Sequence, residues 1–267
     1  MHTGKMVRLE RIINRNTGKS IVVPMDHGVS VGPLRGLEKM DLIVNEVADG
    51  GANAVIMHKG MVGKGHRKKG KDIGLIMHLS SSTELSPMPN RKTLNASVED
   101  AIRHGADAVS IHVNLGCEQE AEMLHDFGMV ASEAEKWGMP LLAMMYGRGP
   151  KIKDSLAPEI IAQCARVGAE LGADVVKVNY TGDIDSFRHV VDSCGVPVLI
   201  AGGPKTNTTR EFLQMVSDAM HAGATGISVG RNVFQHPQPS KLVTVLNSII
   251  HDGLDVETAI KKCGEVL

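Results

Sequence analysis

Short apolar runs built from Val, Ile, Leu, Ala and Met recur along the chain, each followed by Gly, His or Ser and then by a longer stretch of helical periodicity. Eight runs predict strands: Ser20 to Met25, Asn53 to His58, Ile73 to Leu79, Asp107 to Val113, Pro140 to Tyr146, Asp174 to Tyr180, Pro197 to Ala201 and Gly226 to Gly230. The amphipathic stretches between them predict helices at Leu37 to Asp49, Val98 to His104, Glu118 to Trp137, Pro158 to Leu171, Ile184 to Ser193 and Thr208 to Ala222. The basic, glycine-broken segment between His58 and Ile73 carries the weakest helical signal. Four helix-to-strand joins share one grammar: Gly51-Ala52-Asn53, Gly105-Ala106-Asp107, Gly172-Ala173-Asp174 and Gly223-Ala224-Thr225. A glycine just past a helix end accepts positive φ, and a small residue after it lets the chain turn into the next strand.

Strands alternating with helices through short loops imply a parallel sheet with right-handed crossovers. Eight such units in 267 residues predict a closed, parallel eight-stranded (β/α)8 TIM barrel, one domain spanning 1–267. An open doubly wound sheet shares the alternation, but it usually carries a glycine fingerprint after its first strand, where this chain has Met25-Asp26-His27-Gly28.

Hydrophobic residues make up 42% and aromatics only 3%, so the core must be aliphatic, with methionine as soft filler. A formal net charge of -1 offers no broad basic field for nucleic acid or an anionic membrane, so any phosphate must be held locally. No apolar run approaches the ~20 residues of a membrane span, and the charged stretch to Lys19 does not resemble a signal peptide, which predicts a cytoplasmic protein. Cys117, Cys164, Cys194 and Cys263 lack CxxC spacing and read as reduced packing thiols.

In a barrel, chemistry sits at the C-terminal ends of the strands. Lys177 interrupts the apolar run Asp174 to Tyr180, and alternation puts it on one face with Val175 and Asn179, opposite Val176 and Val178. Desolvating an amine favours its nucleophilic neutral form, which suits attack on a carbonyl; the alternative is a buried lysine paired with an acid. Tyr146 ends the fifth run and suits a proton shuttle, or else it merely caps a barrel layer. Asp26 ends the first run beside His27, as a general base, a hydroxyl clamp, or a cap for the loop at Gly28. Gly202-Gly203 after the seventh run and Gly230-Arg231 after the eighth free backbone N–H groups for a phosphate, with Arg231 as a bidentate partner; tight turns without a ligand are the plainer reading. His58, His78 and His112 close the second to fourth runs and raise a metal-dependent rival, but no HxH or HxxxH spacing tightens them, and hydrogen-bonded wall residues or contacts to substrate hydroxyls are preferred. His66, His236 and His251 read as surface residues.

Met25-Asp26-His27-Gly28-Val29-Ser30, Met144-Met145-Tyr146, Lys177 with Tyr180-Thr181-Gly182-Asp183, Gly202-Gly203-Pro204-Lys205-Thr206 and Val229-Gly230-Arg231-Asn232 together resemble the archaeal-type class I aldolase family, from about Val7 to the last helix. The resemblance implies a Schiff base on Lys177, a proton donor at Tyr146, an acid-base carboxylate at Asp26 and no metal or other cofactor. Substrate would be held by Asp26, His27, Gly28, Val29, Ser30, Tyr146, Gly147, Arg148, Gly202, Gly203, Gly230 and Arg231. Asp26 to Ser30 and the segment Pro204 to Thr208 look more like the heptulosonate synthase branch than the glycolytic fructose-bisphosphate branch. That branch implies transfer of a fragment of 6-deoxy-5-ketofructose 1-phosphate to L-aspartate semialdehyde, on a route to 3-dehydroquinate and the aromatic amino acids. The family also implies a homo-oligomer, up to a decamer. Gly147 stands where a Tyr-Pro-Arg-Gly stretch has proline, which predicts a looser loop around Arg148. A barrel that senses phosphate without catalysis is the alternative from another class.

Overall fold

A computed structural model describes residues 2–203, 206 and 208–264. Eight strands, β1 (Ser20–Pro24), β2 (Ala54–Met57), β3 (Gly74–His78), β4 (Ala108–Leu115), β5 (Leu141–Gly147), β6 (Val175–Val178), β7 (Val198–Ala201) and β8 (Gly226–Ser228), pair in parallel, each with its neighbours in sequence, and β8 closes on β1. A helix follows every strand, including Lys59–Gly65 in the glycine-broken crossover, so the expected TIM barrel is the observed one. No helix among the described residues is long and apolar enough to cross a membrane.

The repeated joins have a physical purpose. Gly51, Gly105, Gly172 and Gly223 all take positive φ, between +71 and +102°. The residue two places later then reaches sideways: Asn53 Oδ1 accepts from Ile21 N at 2.7 Å, Asp107 Oδ2 from Leu75 N at 2.9 Å and Asp174 Oδ2 from Leu141 N at 2.9 Å. Each such side chain satisfies an N–H at the lower edge of a neighbouring strand, where the sheet ladder has not begun.

Alternation splits the core in two. Val22, Ala54, Ile56, Ile76, Ala108, Leu142, Met144, Val175, Leu199 and Ala201 fill the barrel, whereas Val23, Val55, Val109, Val176, Val178 and Ile200 pack outward against the helices. The barrel is plugged from below by the N-terminal segment, whose helix Thr3–Leu9 leads to Ile12, 1% exposed inside the inner core. Lys5 Nζ lies 2.6 Å from Glu135 and 3.0 Å from Asp174, and Arg11 spans Asp72 and Asp107 at 2.8 and 2.6 Å. These ion pairs between the charged N-terminal stretch and the barrel's underside are the floor of the barrel.

Two details reshape the mouth. Pairing of β4 with β5 continues through Asn114 and Leu115, so β4 outruns its expected end at Val113 and His112 stands in the wall. After β3 the chain makes a small antiparallel ribbon, Ser80–Ser81 against Thr93–Leu94, that the sequence pattern did not suggest.

Candidate active site

The strand registers place Lys177 level with Ile56, Ser110 and Ser228 in one interior tier contributed by the even-numbered strands. The tier above holds Pro24, His78, Met144 and Ala201, the next His58, His112, Asn179 and Gly230, and Asp26 and Tyr146 stand at the rim. Lys177 is 8% exposed and belongs to no ion pair among the described residues, so the reading of a lysine paired with an acid is not realised. Its flanking Val176 and Val178 face the outer core, which turns the amine inward.

Asp26 precedes the short helix His27–Val31, yet its side chain makes no capping bond. Its carboxylate lies 3.3 Å from His27 Nδ1. Burial pushes its pKa up, but the combined pull of His78, His27, Lys177 and His58 outweighs that and holds the group below the usual carboxylate range. An ionised carboxylate therefore faces the amine across the mouth. Burial pushes all four mouth histidines down: His27, His58, His112 and His78, the last to about 4. They are neutral at pH 7.

Two of the three wall histidines make side-chain hydrogen bonds. His78 Nδ1 contacts Ser110 Oγ at 2.8 Å, and His112 Nε2 contacts Asn114 Oδ1 at 2.8 Å. The His58 ring lies 5.2 Å from that of His78. Among the described residues no three His, Cys, Asp or Glu side chains gather as a metal would need. Tyr146, 9% exposed, has the His112 ring 5.0 Å to one side and the Arg148 guanidinium 5.0 Å from its centroid.

Gly147 corrects an expectation. It is the last residue of β5, paired with Leu115, and a Cβ there would meet Ile160 Cγ2 at 2.4 Å. Packing, not flexibility, explains its lack of a side chain. Gly230 is likewise a close approach, since a Cβ would strike His27 Cε1 at 2.5 Å and Pro24 O at 2.6 Å; the β8 loop thereby touches the β1 loop. Arg231 follows and reaches Gly203 O at 3.5 Å, while Asn232 Nδ2 donates to Gly202 O at 3.3 Å, joining the two glycine loops. Gly28 and Val29 are exposed at the rim, and Ser30 O accepts from Glu84 N at 2.9 Å. Pro204, Lys205 and Asn207 of the motif lie outside the described residues.

Away from the mouth, His66 is exposed as expected, but His251 and His236 are not simple surface residues. His251 bridges Thr17 and Asn53, at 2.8 and 3.0 Å, and half-buried His236 meets Thr209 Oγ1 at 3.4 Å. Two surface cavities, of about 280 and 410 Å³, are lined by none of Lys177, Asp26 or Tyr146. Lys92, Ser110 and Asn114 also face this region, and none carried a sequence signal: a loop lysine, a strand serine and a strand asparagine are ordinary in isolation.

The profile of the DeoC/LacD family aldolases matches residues 20–236. The chain belongs to the DeoC/LacD aldolase family. This aldolase is 41% identical to a 2-amino-3,7-dideoxy-D-threo-hept-6-ulosonate synthase of Halobacterium salinarum, over 99% of this chain and 98% of that one. It is 40% identical to a 2-amino-4,5-dihydroxy-6-oxo-7-(phosphonooxy)heptanoate synthase of Streptomyces griseus, over 93% and 91%. Its fold superposes with a TM-score of 0.85 on a Schiff-base-forming fructose-1,6-bisphosphate aldolase, 35% identical, over 92% of this aldolase and 99% of that one.

Proposed function

We propose that the aldolase is a 2-amino-3,7-dideoxy-D-threo-hept-6-ulosonate synthase that transfers a ketose fragment through a Schiff base on Lys177. The observation that carries the reading is a buried, acid-free lysine in the barrel interior facing an ionised Asp26. The full-length similarity to synthases of that name, and of a 2-amino seven-carbon relative, supports the choice of product.

In this reading the free amine of Lys177 adds to a ketone of 6-deoxy-5-ketofructose 1-phosphate, and loss of water from the carbinolamine leaves an iminium. The proton of the hydroxyl on the carbon β to the iminium passes to Asp26 or Tyr146, that carbon becomes the carbonyl of the departing aldehyde as the bond between the α and β carbons breaks, and the electron pair of that bond enters the iminium to give an enamine. The three-carbon phosphorylated aldehyde departs. The enamine carbon then attacks the aldehyde carbon of L-aspartate semialdehyde, whose oxygen takes up a proton, and water releases the product and restores the amine. Asp26, held ionised, serves as base; Tyr146, packed between His112 and Arg148, is positioned to return the proton. The Gly202-Gly203 and Gly230-Arg231 loops, tied by Arg231 and Asn232, serve as the phosphate cradle, and the His27 to Ser30 turn with Gly147 and Arg148 completes the substrate-binding rim. The chain works as a single cytoplasmic domain in a homo-oligomer, up to a decamer, for which exposed Met129, Trp137 and Leu171 supply apolar surface.

Borohydride reduction with each ketose, followed by peptide mapping, should add a stable mass to Lys177. Product analysis should then show seven-carbon amino acid only when the ketofructose phosphate and aspartate semialdehyde are both present. Rapid cleavage of fructose 1,6-bisphosphate alone would favour the glycolytic activity instead, and absence of any adduct would overturn the covalent mechanism. Light scattering tests the oligomer.

A further inference from the structure

Two cations stand on the β3–β5 side of the mouth without an acidic partner. Arg148, directly after β5, lays its guanidinium over Tyr146. Lys92, half-buried in the segment between β3 and β4, donates to Ser82 Oγ and, at 3.3 Å, to Pro89 O, both neutral acceptors. Neither Lys92 nor Arg148 forms an ion pair among the described residues. After burial itself, Arg148 is the leading influence pushing the Lys92 amine down, to about 8; Asp26 and Glu84 pull the other way, and His78 and His112 feel Lys92 in turn. Asn90, two residues before Lys92, is hydrogen-bonded to Asn114, which pairs with Tyr146 across β4 and β5, so Lys92 lies on the side of the mouth where Arg148 covers that phenol.

The segment is anchored at both sides. Asn114 Nδ2 donates to Asn90 O at 2.7 Å, His112 N to Ser80 Oγ at 3.0 Å, and Glu84 N to Ser30 O at 2.9 Å. Lys92 is half-buried and Arg148 exposed; two like charges on one side of the mouth repel, and an anion placed between them relieves that repulsion. In the closed strand order β3 to β5 lie across the barrel from β7 and β8, so these cations are distinct from the glycine loops.

We propose that Lys92 and Arg148 form a second anion subsite, across the mouth from the glycine loops, that receives the carboxylate of the incoming amino-acid semialdehyde. The assignment rests on the transfer reaction proposed above, which handles a phosphate on the ketose and a carboxylate on the acceptor. An aldehyde anchored there extends toward Lys177 past Tyr146, the phenol that lies beneath Arg148. Arg148 contributes a planar fork and Lys92 a point charge, a combination that selects an acceptor by its charged end.

The test uses the full-length protein. In Lys92→Met, trapping of the ketose phosphate on Lys177 should keep its wild-type concentration dependence, while KM for L-aspartate semialdehyde rises by roughly 10- to 100-fold, as loss of a charge-assisted contact implies. Preference for the semialdehyde over uncharged propanal should fall by the same factor, and Lys92→Arg should recover most of it. In the wild type, KM for the semialdehyde should rise as the pH passes about 8, and this rise should vanish in Lys92→Met. An unchanged semialdehyde KM in a variant that still traps the ketose overturns the proposal. So does an increase confined to the KM of the ketose phosphate, which would give the pair to phosphate. If the wild type traps no ketose, the Schiff-base reading itself fails. Should Lys92→Met not fold, Lys92→Gln, which can keep the bond to Ser82, is read in its place.

Discussion

The two ends of this barrel treat charge in opposite ways. At the floor, Lys5 sits between Glu135 and Asp174, and Arg11 between Asp72 and Asp107. At the mouth, Lys177, Lys92, Arg148 and Arg231 have no carboxylate within ion-pair distance among the described residues, and burial has stripped the neighbouring histidines of charge. Charges satisfied within the chain hold a structure together, whereas charges left open cost stability and are retained for a ligand. The division matches the general separation in this fold between a stabilising bottom and a reactive top.

The sharpest way to break this contrast is Lys177→Met. It should abolish borohydride trapping and reduce kcat by on the order of 10⁴-fold or more, as removal of a covalent nucleophile does. Its Tm should hold or rise, because a buried amine without an acidic partner is lost; a marked fall in Tm would make Lys177 structural. Asp26→Asn and Tyr146→Phe should each cost about 10²- to 10⁴-fold in kcat, typical of a general acid or base, with the melting temperature little changed.

At the floor the expectation reverses. Lys5→Met leaves Asp174 and Glu135 without their cation and should cost roughly 1–3 kcal/mol of stability. Tm should fall while kcat at 25 °C stays within twofold of wild type; equal loss of kcat would erase the distinction between the two ends. The last expectation is a pH slope. An unfolded histidine takes up its proton near 6.5, His78 only near 4, so between those values the unfolded state holds more protons. Stability present above pH 6.5 should therefore be lost as the pH falls toward 4, with the lowered Asp26 adding its own loss only below about 3.8. Urea titrations at several pH values should show this decline, and His78→Asn should make it shallower, with His27, His58 and His112 keeping the remainder.

Much of the architecture was legible because it is periodic. All eight strands were readable from their apolar runs, and the Gly-Ala-Asn/Asp joins announced helix ends, since a helix that must stop and turn inward needs positive φ there. The floor helix and the ribbon after β3 were not readable. Thr3–Leu9 is polar and short, and the ribbon strands are two residues each, so neither carries enough period to signal itself. The end of β4 was misplaced for a related reason: Asn114 and Leu115 join the sheet because β5 continues beside them, which is a property of the partner. His251 shows the same limit, since only its contacts with Thr17 and Asn53 distinguish it from a surface residue.

The sequence alone determined the barrel and the inward face of Lys177, because strand alternation is local and a cation between valines has one face to occupy. The glycines of the β7 and β8 loops were visible for the same reason. Which groups surround that amine was decided only by closure of the barrel. Asp26, His58, His78 and Lys177 are separated by up to 151 positions yet share one interior, and their titration depends on mutual distance and burial, which no local pattern encodes. Lys92 is the extreme case. Its loop position says nothing, and its meaning comes from the cation across from it and from the absence of an acid between them.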